Sequence, residues 1–100
     1  RAGVSVESLL GLPRLAGVYT YTAALGDGSS ATFEAALARY VAAGFTEYKI
    51  RLGGRGAHDR AKVAALRAAG IAPECVRADA SHLFRNARDA VRYLDRLDYP

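Results

Sequence analysis

Four charged side chains lie where two predicted strands would bring them to one surface. Lys49 and Arg51 are two positions apart near the end of one predicted strand, and Arg77 and Asp79 are two positions apart near the end of the next. Successive strand residues point to opposite faces, so each pair shares a face. Two cations on one face are costly to desolvate unless that face is wet or binds anions. These residues predict an anion-binding surface, with a structural ion-pair network as the alternative.

Strand-like and helix-like patterns alternate three times along the chain. β-branched and aromatic residues predict strands at 18–22, 45–52 and 74–79. Glycine-rich turns follow the first two strands, at 26–30 and 53–56. Three consecutive strand-helix units are typical of a parallel sheet. The carboxyl ends of such strands, where the charged residues lie, are the usual location of ligand sites.

Each predicted strand is followed by a segment with apolar residues at helical spacing. Helix boundaries are indicated by residues that commonly cap helices and by glycines just past the ends of the first two helices. The predicted N-caps are Ser30 or Thr32, then Asp59, then Asn86, and the terminating glycines are Gly44 and Gly70.

Length limits how much of a fold the chain can contain. One hundred residues, 51% of them hydrophobic, suffice for one compact core but not for a complete eight-stranded barrel of ~250 residues. The chain begins at Arg1 and contains no methionine, so we expect a piece of a longer or processed protein. We interpret residues 1–16 as a connector from an upstream domain and residues 17–100 as the repeated units. Periodicity alone fits an open doubly wound sheet or part of a closed barrel.

Charge and cysteine content narrow the functional class. The net charge is +4, but the 12 arginines and two lysines are interspersed with ten acidic residues, so we predict no nucleic-acid partner. Cys75 is the single cysteine, which excludes an internal disulfide and suits a reducing compartment. No stretch has the ~20 apolar residues of a membrane span. We therefore expect a soluble, cytoplasmic protein with no membrane partner.

Three motifs in fixed order resemble those of a known enzyme family. They are a glycine-phenylalanine turn into a Lys-x-Arg strand at 44–54, an aspartate-initiated helix ending in Leu-Arg at 58–67, and an Asp-Ala-Ser strand end at 79–81. Together they resemble the mandelate racemase and muconate lactonizing enzyme branch of the enolase superfamily, over about residues 8–100. The resemblance implies an α/β fold in which this chain forms the first three βα units of a TIM-type (β/α) barrel, with parallel strands and helices outside. Residues 1–16 would then connect to the family's capping domain.

The resemblance also implies a chemistry. Members of this branch remove the α-proton of a small carboxylate substrate, and Mg²⁺ or another divalent ion such as Mn²⁺ stabilises the enediolate intermediate. By position, Asp79 resembles a metal ligand and Lys49 resembles a lysine that binds the substrate carboxylate. Ser81 replaces an asparagine and, with His82 on the following loop, is an expected substrate contact. A homo-oligomer is also implied.

Arg51 occupies the position of the family's second lysine, which is commonly the base. A guanidinium with a pKa above ~12 is a poor proton acceptor and a good carboxylate ligand. This substitution favours one-sided proton chemistry, such as cycloisomerisation or dehydration, over two-base racemisation. The remaining metal ligands and the base would lie on later strands. Two alternatives remain: a non-catalytic scaffold or interaction module with the same fold, and a phosphate site at 53–56.

Overall fold

The computed structural model describes residues 3–13, 17 and 21–98. In these residues, helices and strands alternate around a parallel sheet. In chain order the elements are α1 (Val6–Leu9), β1 (Thr22–Leu25), α2 (Ser30–Ala42), β2 (Glu47–Arg51), α3 (Gly56–Ala68), a 3₁₀ turn (Pro73–Cys75), β3 (Val76–Asp79) and α4 (Ala87–Arg96).

The sheet has three parallel strands in the order β1-β2-β3. Ala24 pairs with Lys49, and Lys49 in turn pairs with Arg77. Parallel neighbours require a crossover connection, which α2 supplies between β1 and β2 and α3 supplies between β2 and β3. The prediction of an α/β chain built from consecutive parallel βα units is confirmed at this level.

One face of the sheet forms the hydrophobic core. Tyr48 and Ile50 are completely buried, while Lys49 and Arg51 between and beside them are exposed. The predicted alternation along β2 is therefore confirmed. The core combines residues from this sheet face with residues from α2, α3 and the end of α4: Ala23, Leu25, Phe33, Leu37, Tyr48, Ile50, Leu52, Leu66 and Leu97.

Strands β2 and β3 each begin two residues later than the sequence predicts, at Glu47 and at Val76. Residues 18–20 of the first predicted strand lie outside the described residues, and β1 starts at Thr22 and runs to Leu25. Ala23 and Leu25 are buried in register with β2. The start predicted for the third strand is wrong because Pro73 fixes a 3₁₀ turn through Cys75. Cys75 therefore does not share a strand face with Arg77.

The cap of α2 differs by one residue from the prediction. The N-cap is Ser29, and its hydroxyl oxygen accepts a hydrogen bond from the backbone N–H of Thr32 at 3.2 Å. Ser30 is already the first helical residue. Several adjacent residues can cap a helix, so composition alone does not select among them.

Of the N-caps predicted for α3 and α4, the first is wrong and the second is confirmed. The N-cap of α3 is Arg55, which makes no side-chain capping bond, and Asp59 lies in the first turn instead. The Asp59 carboxylate is used by a buried cluster described below. Asn86 caps α4 as predicted, accepting a hydrogen bond from the backbone N–H of Asp89 at 2.9 Å.

The position of the α2 cap can be tested by paired alanine substitutions. Ser29→Ala should lower the free energy of unfolding by about 1 kcal/mol, because it removes the side-chain acceptor for an N-terminal backbone N–H. Ser30→Ala should have almost no effect or a slight stabilising one, because alanine is the better helix former. Urea unfolding measures both; equal losses in the two variants would disagree with the assignment of Ser29.

The N-terminal segment exposes an unusual amount of apolar surface. Helix α1 is four residues long and buries none of them. Five apolar side chains on and around it are each more than half exposed: Val4, Val6, Leu9, Leu10 and Leu12. Residues 14–16, the end of the predicted connector, lie outside the described residues. Among residues 3–13, 17 and 21–98, no helix has both the length and the apolar character needed to cross a membrane.

Candidate functional site

The exposed sheet face brings part of the predicted charged set together. The register of β2 and β3 places Arg51 beside Asp79, and the Lys49 ammonium lies 2.8 Å from Asp79 Oδ2. Arg77 points toward the other end of the sheet, where its guanidinium donates to the hydroxyl of Thr22 at 3.2 Å. Lys49, Arg51 and Asp79 therefore cluster at the carboxyl ends of the strands, and Arg77 is not part of that cluster.

Asp79 is held strongly in its ionised form. Its Oδ1 accepts hydrogen bonds from the backbone N–H of Ser81 at 2.9 Å and from the Ser81 hydroxyl at 3.1 Å. Lys49 has the largest effect and Ser81 the next, and together they lower the pKa of Asp79 to about 2. Ser81 adopts a left-handed backbone conformation with φ 45°. This predicted substrate contact is therefore bonded to the predicted metal ligand.

The strength of this ionisation is directly measurable. In Lys49→Met, the pKa of Asp79 should rise from about 2 toward the ordinary aspartate value, because the nearest cation is removed. The lowered pKa means that Asp79 stabilises the folded state above the ordinary value of ~3.9. That contribution is lost as the pH falls through the folded pKa. A carboxyl-carbon NMR titration checks the value; an unchanged pKa in Lys49→Met would refute the role of Lys49.

Arg51 and His82 line a cavity at this end of the sheet. The cavity has a volume of about 380 Å³, and Asp27, Gly53 and Ser81 also line it. Among the described residues, neither the Arg51 guanidinium nor the His82 imidazole makes a hydrogen bond or an ion pair within the chain. An unpaired guanidinium in a cavity is suited to bind a carboxylate or another small oxyanion.

A buried ionic cluster lies directly behind this cavity. Lys62 is 2% exposed and Asp59 is completely buried. The Lys62 ammonium donates to Asp27 Oδ1 at 2.6 Å, to the backbone carbonyl of Arg51 at 2.6 Å and to Asp59 Oδ1 at 2.9 Å. All three of its N–H donors are used, which is the condition under which a buried ammonium is tolerated.

The Asp59 carboxylate joins three parts of the chain. It accepts hydrogen bonds from the backbone N–H groups of Gly53 and Gly54 and from the Tyr93 hydroxyl at 2.6 Å. Burial raises the pKa of Asp59, but hydrogen bonds from Tyr93, Lys62 and Gly53 outweigh burial and leave that pKa below the ordinary value. Burial, followed by the bond to Asp59, raises the pKa of Tyr93 to about 12.

These bonds occupy two of the N–H donors on which the alternative of a phosphate site at residues 53–56 depends. The backbone N–H groups of Gly53 and Gly54 that would hold a phosphate already donate to Asp59. Gly53 also permits a close approach, since a Cβ there would lie 2.5 Å from Asp27 Oδ2. The glycines in this loop serve the buried cluster.

Sequence reasoning assigned no role to Asp27 or Lys62. A signal was present, because Asp59 and Lys62 fall at helical spacing with the buried Val63 and Leu66, on the apolar face of α3. Charged residues on such a face indicate a buried network. Their partner Asp27 could not be found this way, because it lies 35 residues from Lys62 in the sequence.

The fit of a divalent ion rests on Asp79. A carboxylate at a strand end has the oxygen chemistry that Mg²⁺ prefers, but Mg²⁺ requires about six oxygen ligands. Within residues 3–13, 17 and 21–98, no group of three histidine, cysteine, aspartate or glutamate side chains is arranged to hold a metal ion. Asp79 thus has the chemistry of one such ligand, and the described residues do not complete a set.

Comparison with known proteins does not assign the chain to a family. Neither a protein-family model nor a curated protein nor a solved structure matches it.

Proposed function

We propose that this chain supplies the first three βα units of a (β/α) barrel enzyme of the enolase-superfamily type. The enzyme would use a divalent ion to abstract the α-proton of a small carboxylate through an enediolate, as an isomerase or lyase. The observation that carries the proposal is the grouping of Lys49, Asp79 and the unpaired Arg51 at the carboxyl ends of parallel strands. A cytoplasmic homo-oligomer without a nucleic-acid or membrane partner belongs to the same proposal.

The sheet topology is compatible with the first units of a barrel. The strands follow one another in space in sequence order. Buried residues of α2 and α3, and Leu97 at the end of α4, join one hydrophobic core with the strands. Barrel units have this arrangement, with helices outside and side chains inside. One half of a doubly wound sheet also has three neighbouring strands in sequence order, so the choice of a barrel rests on the motifs that resemble the enolase superfamily. In a barrel, the charged face of this sheet would point inward.

Lys49 and Arg51 would bind and neutralise the substrate carboxylate. Removing a proton next to an ionised carboxylate creates a second negative charge, so fixed cations at that position lower the barrier. A guanidinium is a poor proton acceptor, so Arg51 would bind the carboxylate and not act as the base. The proton acceptor must be another residue, which favours cycloisomerisation or dehydration over racemisation with a base on each side.

Asp79 would contribute one ligand to the divalent ion. When bound, such an ion would offset the negative charge that develops on the substrate carboxylate. The hydrogen bonds from Ser81 fix the orientation of the Asp79 carboxylate, and His82 is placed on the cavity wall where it can contact the substrate.

The test is exchange of substrate protons with solvent. Because the base and the other metal ligands would lie on later strands, this chain alone should be inactive, and the test uses the longer protein purified from its source. That protein is incubated with Mg²⁺ and a panel of small carboxylates in deuterated water, and loss of the α-proton signal is followed by NMR. We expect exchange for at least one carboxylate, and loss of that exchange in Lys49→Met. Arg39→Ala, a change on the exposed side of α2, serves as the control and should behave as the unmodified protein. Absence of exchange across the panel would contradict the proposal.

One observation favours a second candidate, a non-catalytic scaffold or interaction module with the same fold. The residue in the position of the expected base is Arg51, which cannot take up a proton at neutral pH. A scaffold would bind a carboxylate through Arg51 but exchange no α-proton. The exchange experiment therefore separates the two candidates.

A further inference from the structure

Asp27 lies on the wall of the same cavity as Arg51. Its loop follows β1, and its side chain is 26% exposed. The cavity thus has an unpaired guanidinium from β2 and a carboxylate from the β1 loop on its walls. A surface with one cation and one hydrogen-bond acceptor can orient a small ligand that carries an anion and a donor.

The two oxygens of Asp27 are in different situations. Oδ1 accepts a hydrogen bond from the Lys62 ammonium at 2.6 Å. His58 Nε2 lies 3.2 Å from the same oxygen, but this buried nitrogen makes no hydrogen bond to any of the described residues. Oδ2 lies 3.6 Å from an Arg55 guanidinium nitrogen, which is longer than a hydrogen bond. Oδ2 therefore keeps acceptor capacity for a ligand.

Two features keep Asp27 in place and ionised. The hydrogen bond from Lys62 is the main cause of a pKa of Asp27 below its ordinary value. Gly53 leaves the space that Oδ2 occupies, because any larger residue would place a Cβ 2.5 Å from that oxygen. The buried Lys62 thus fixes Oδ1, Gly53 leaves room for Oδ2, and the side chain as a whole is 26% exposed on the wall of the cavity.

We propose that Asp27 is a further binding residue of this cavity, accepting a hydrogen bond through Oδ2 from a hydroxyl group of the carboxylate that Arg51 binds. This inference rests on the proposed carboxylate site and narrows its ligand to hydroxylated acids. A hydroxyl donor suits this position better than an ammonium group, because Lys62 and Arg55 already offset the charge of Asp27.

The test compares two acids that differ only in hydroxyl groups. Glycerate and propionate are titrated into the protein, and binding is followed through the NMR signals of the Arg51 side chain and the cavity amides. Glycerate should bind about tenfold more tightly than propionate, the effect expected of one hydrogen bond to a charged acceptor. In Asp27→Ala the two affinities should come within about twofold of each other, with propionate binding little changed.

Two further variants separate this role from a general loss of structure. Gly53→Ala keeps the Asp27 carboxylate but displaces Oδ2, so it should also reduce the preference for glycerate. Asp95→Ala, an exposed aspartate on α4, is the matched control and should keep the full preference. Structural damage would weaken both acids alike and leave their ratio unchanged.

The outcomes distinguish this inference from the proposed function. Two results would overturn the role of Asp27 and leave the carboxylate site intact. One is equal binding of propionate and glycerate to the unmodified protein, and the other is a tenfold preference for glycerate that survives in Asp27→Ala. Failure of both acids to bind would overturn the carboxylate site itself, and the role of Asp27 with it.

Discussion

Replacing Lys62 by methionine should lower the free energy of unfolding by about 3–5 kcal/mol, the largest stability effect we expect in this chain. The ammonium group is buried with Asp59, which is completely inaccessible to solvent. Methionine has nearly the same length but no charge, so it would leave the buried Asp59 without its cation, while Asp27 would keep Arg55 nearby. An uncompensated buried charge is far more costly than the net value of the ion pair. Urea unfolding with circular dichroism measures the loss.

Lys49→Met is the matched control for that experiment. Lys49 also pairs with an aspartate, at 2.8 Å, but its side chain is 49% exposed and that of Asp79 is 34% exposed. Exposed pairs add little because water and salt screen both charges. The unfolding midpoint of Lys49→Met should therefore stay close to that of the unmodified protein. Equal destabilisation by the two substitutions would mean that the Lys62 cluster is not buried as described.

Asp79→Asn should reduce α-proton exchange by on the order of 100- to 1000-fold, the usual cost of removing one group that stabilises transition-state charge. The substitution keeps the size of the side chain but removes the negative charge that pairs with Lys49 and would bind the divalent ion. The Asp79 carboxyl is accessible to solvent, so the variant should fold normally. Exchange is measured as described above, and Mg²⁺ affinity is measured by calorimetry on the same samples.

Ser81→Ala provides the graded comparison. It removes the hydroxyl bond to Asp79 Oδ1 but keeps the bond from the backbone N–H. We expect a loss of exchange of only about tenfold, in line with one lost hydrogen bond to a charged group. If Asp79→Asn exchanges the α-proton as fast as the unmodified protein, Asp79 has no role in the reaction, whatever the effect of the substitution on stability.

The features that could be predicted from sequence are those set by local pattern. The alternation of Tyr48 and Ile50 with Lys49 and Arg51 was readable because a half-buried strand has a strict period of two. Asn86 was identifiable as a cap because it precedes a helical pattern without competing residues nearby. At the start of α2, Ser29 and its neighbours offered several equivalent caps, and the choice depended on the geometry of the preceding loop.

The features that were missed depend on contacts distant in sequence. The cluster around Lys62 brings together Asp27, Asp59 and Tyr93, and the hydrogen bonds that join them span 35 and 34 residues. No periodicity reports such contacts. The late start of β3 has a different cause, because Pro73 favours a turn at a place where composition still suggests a strand.

The most direct test of a metal-dependent barrel enzyme is the intact mass of the protein purified from its source, with the metal content determined on the same sample. The proposal predicts a chain roughly three to four times the length described here, as a barrel with a capping domain requires. It also predicts about one Mg²⁺-type ion per chain. A mass matching 100 residues with no bound divalent ion would contradict the proposal and leave a parallel α/β scaffold.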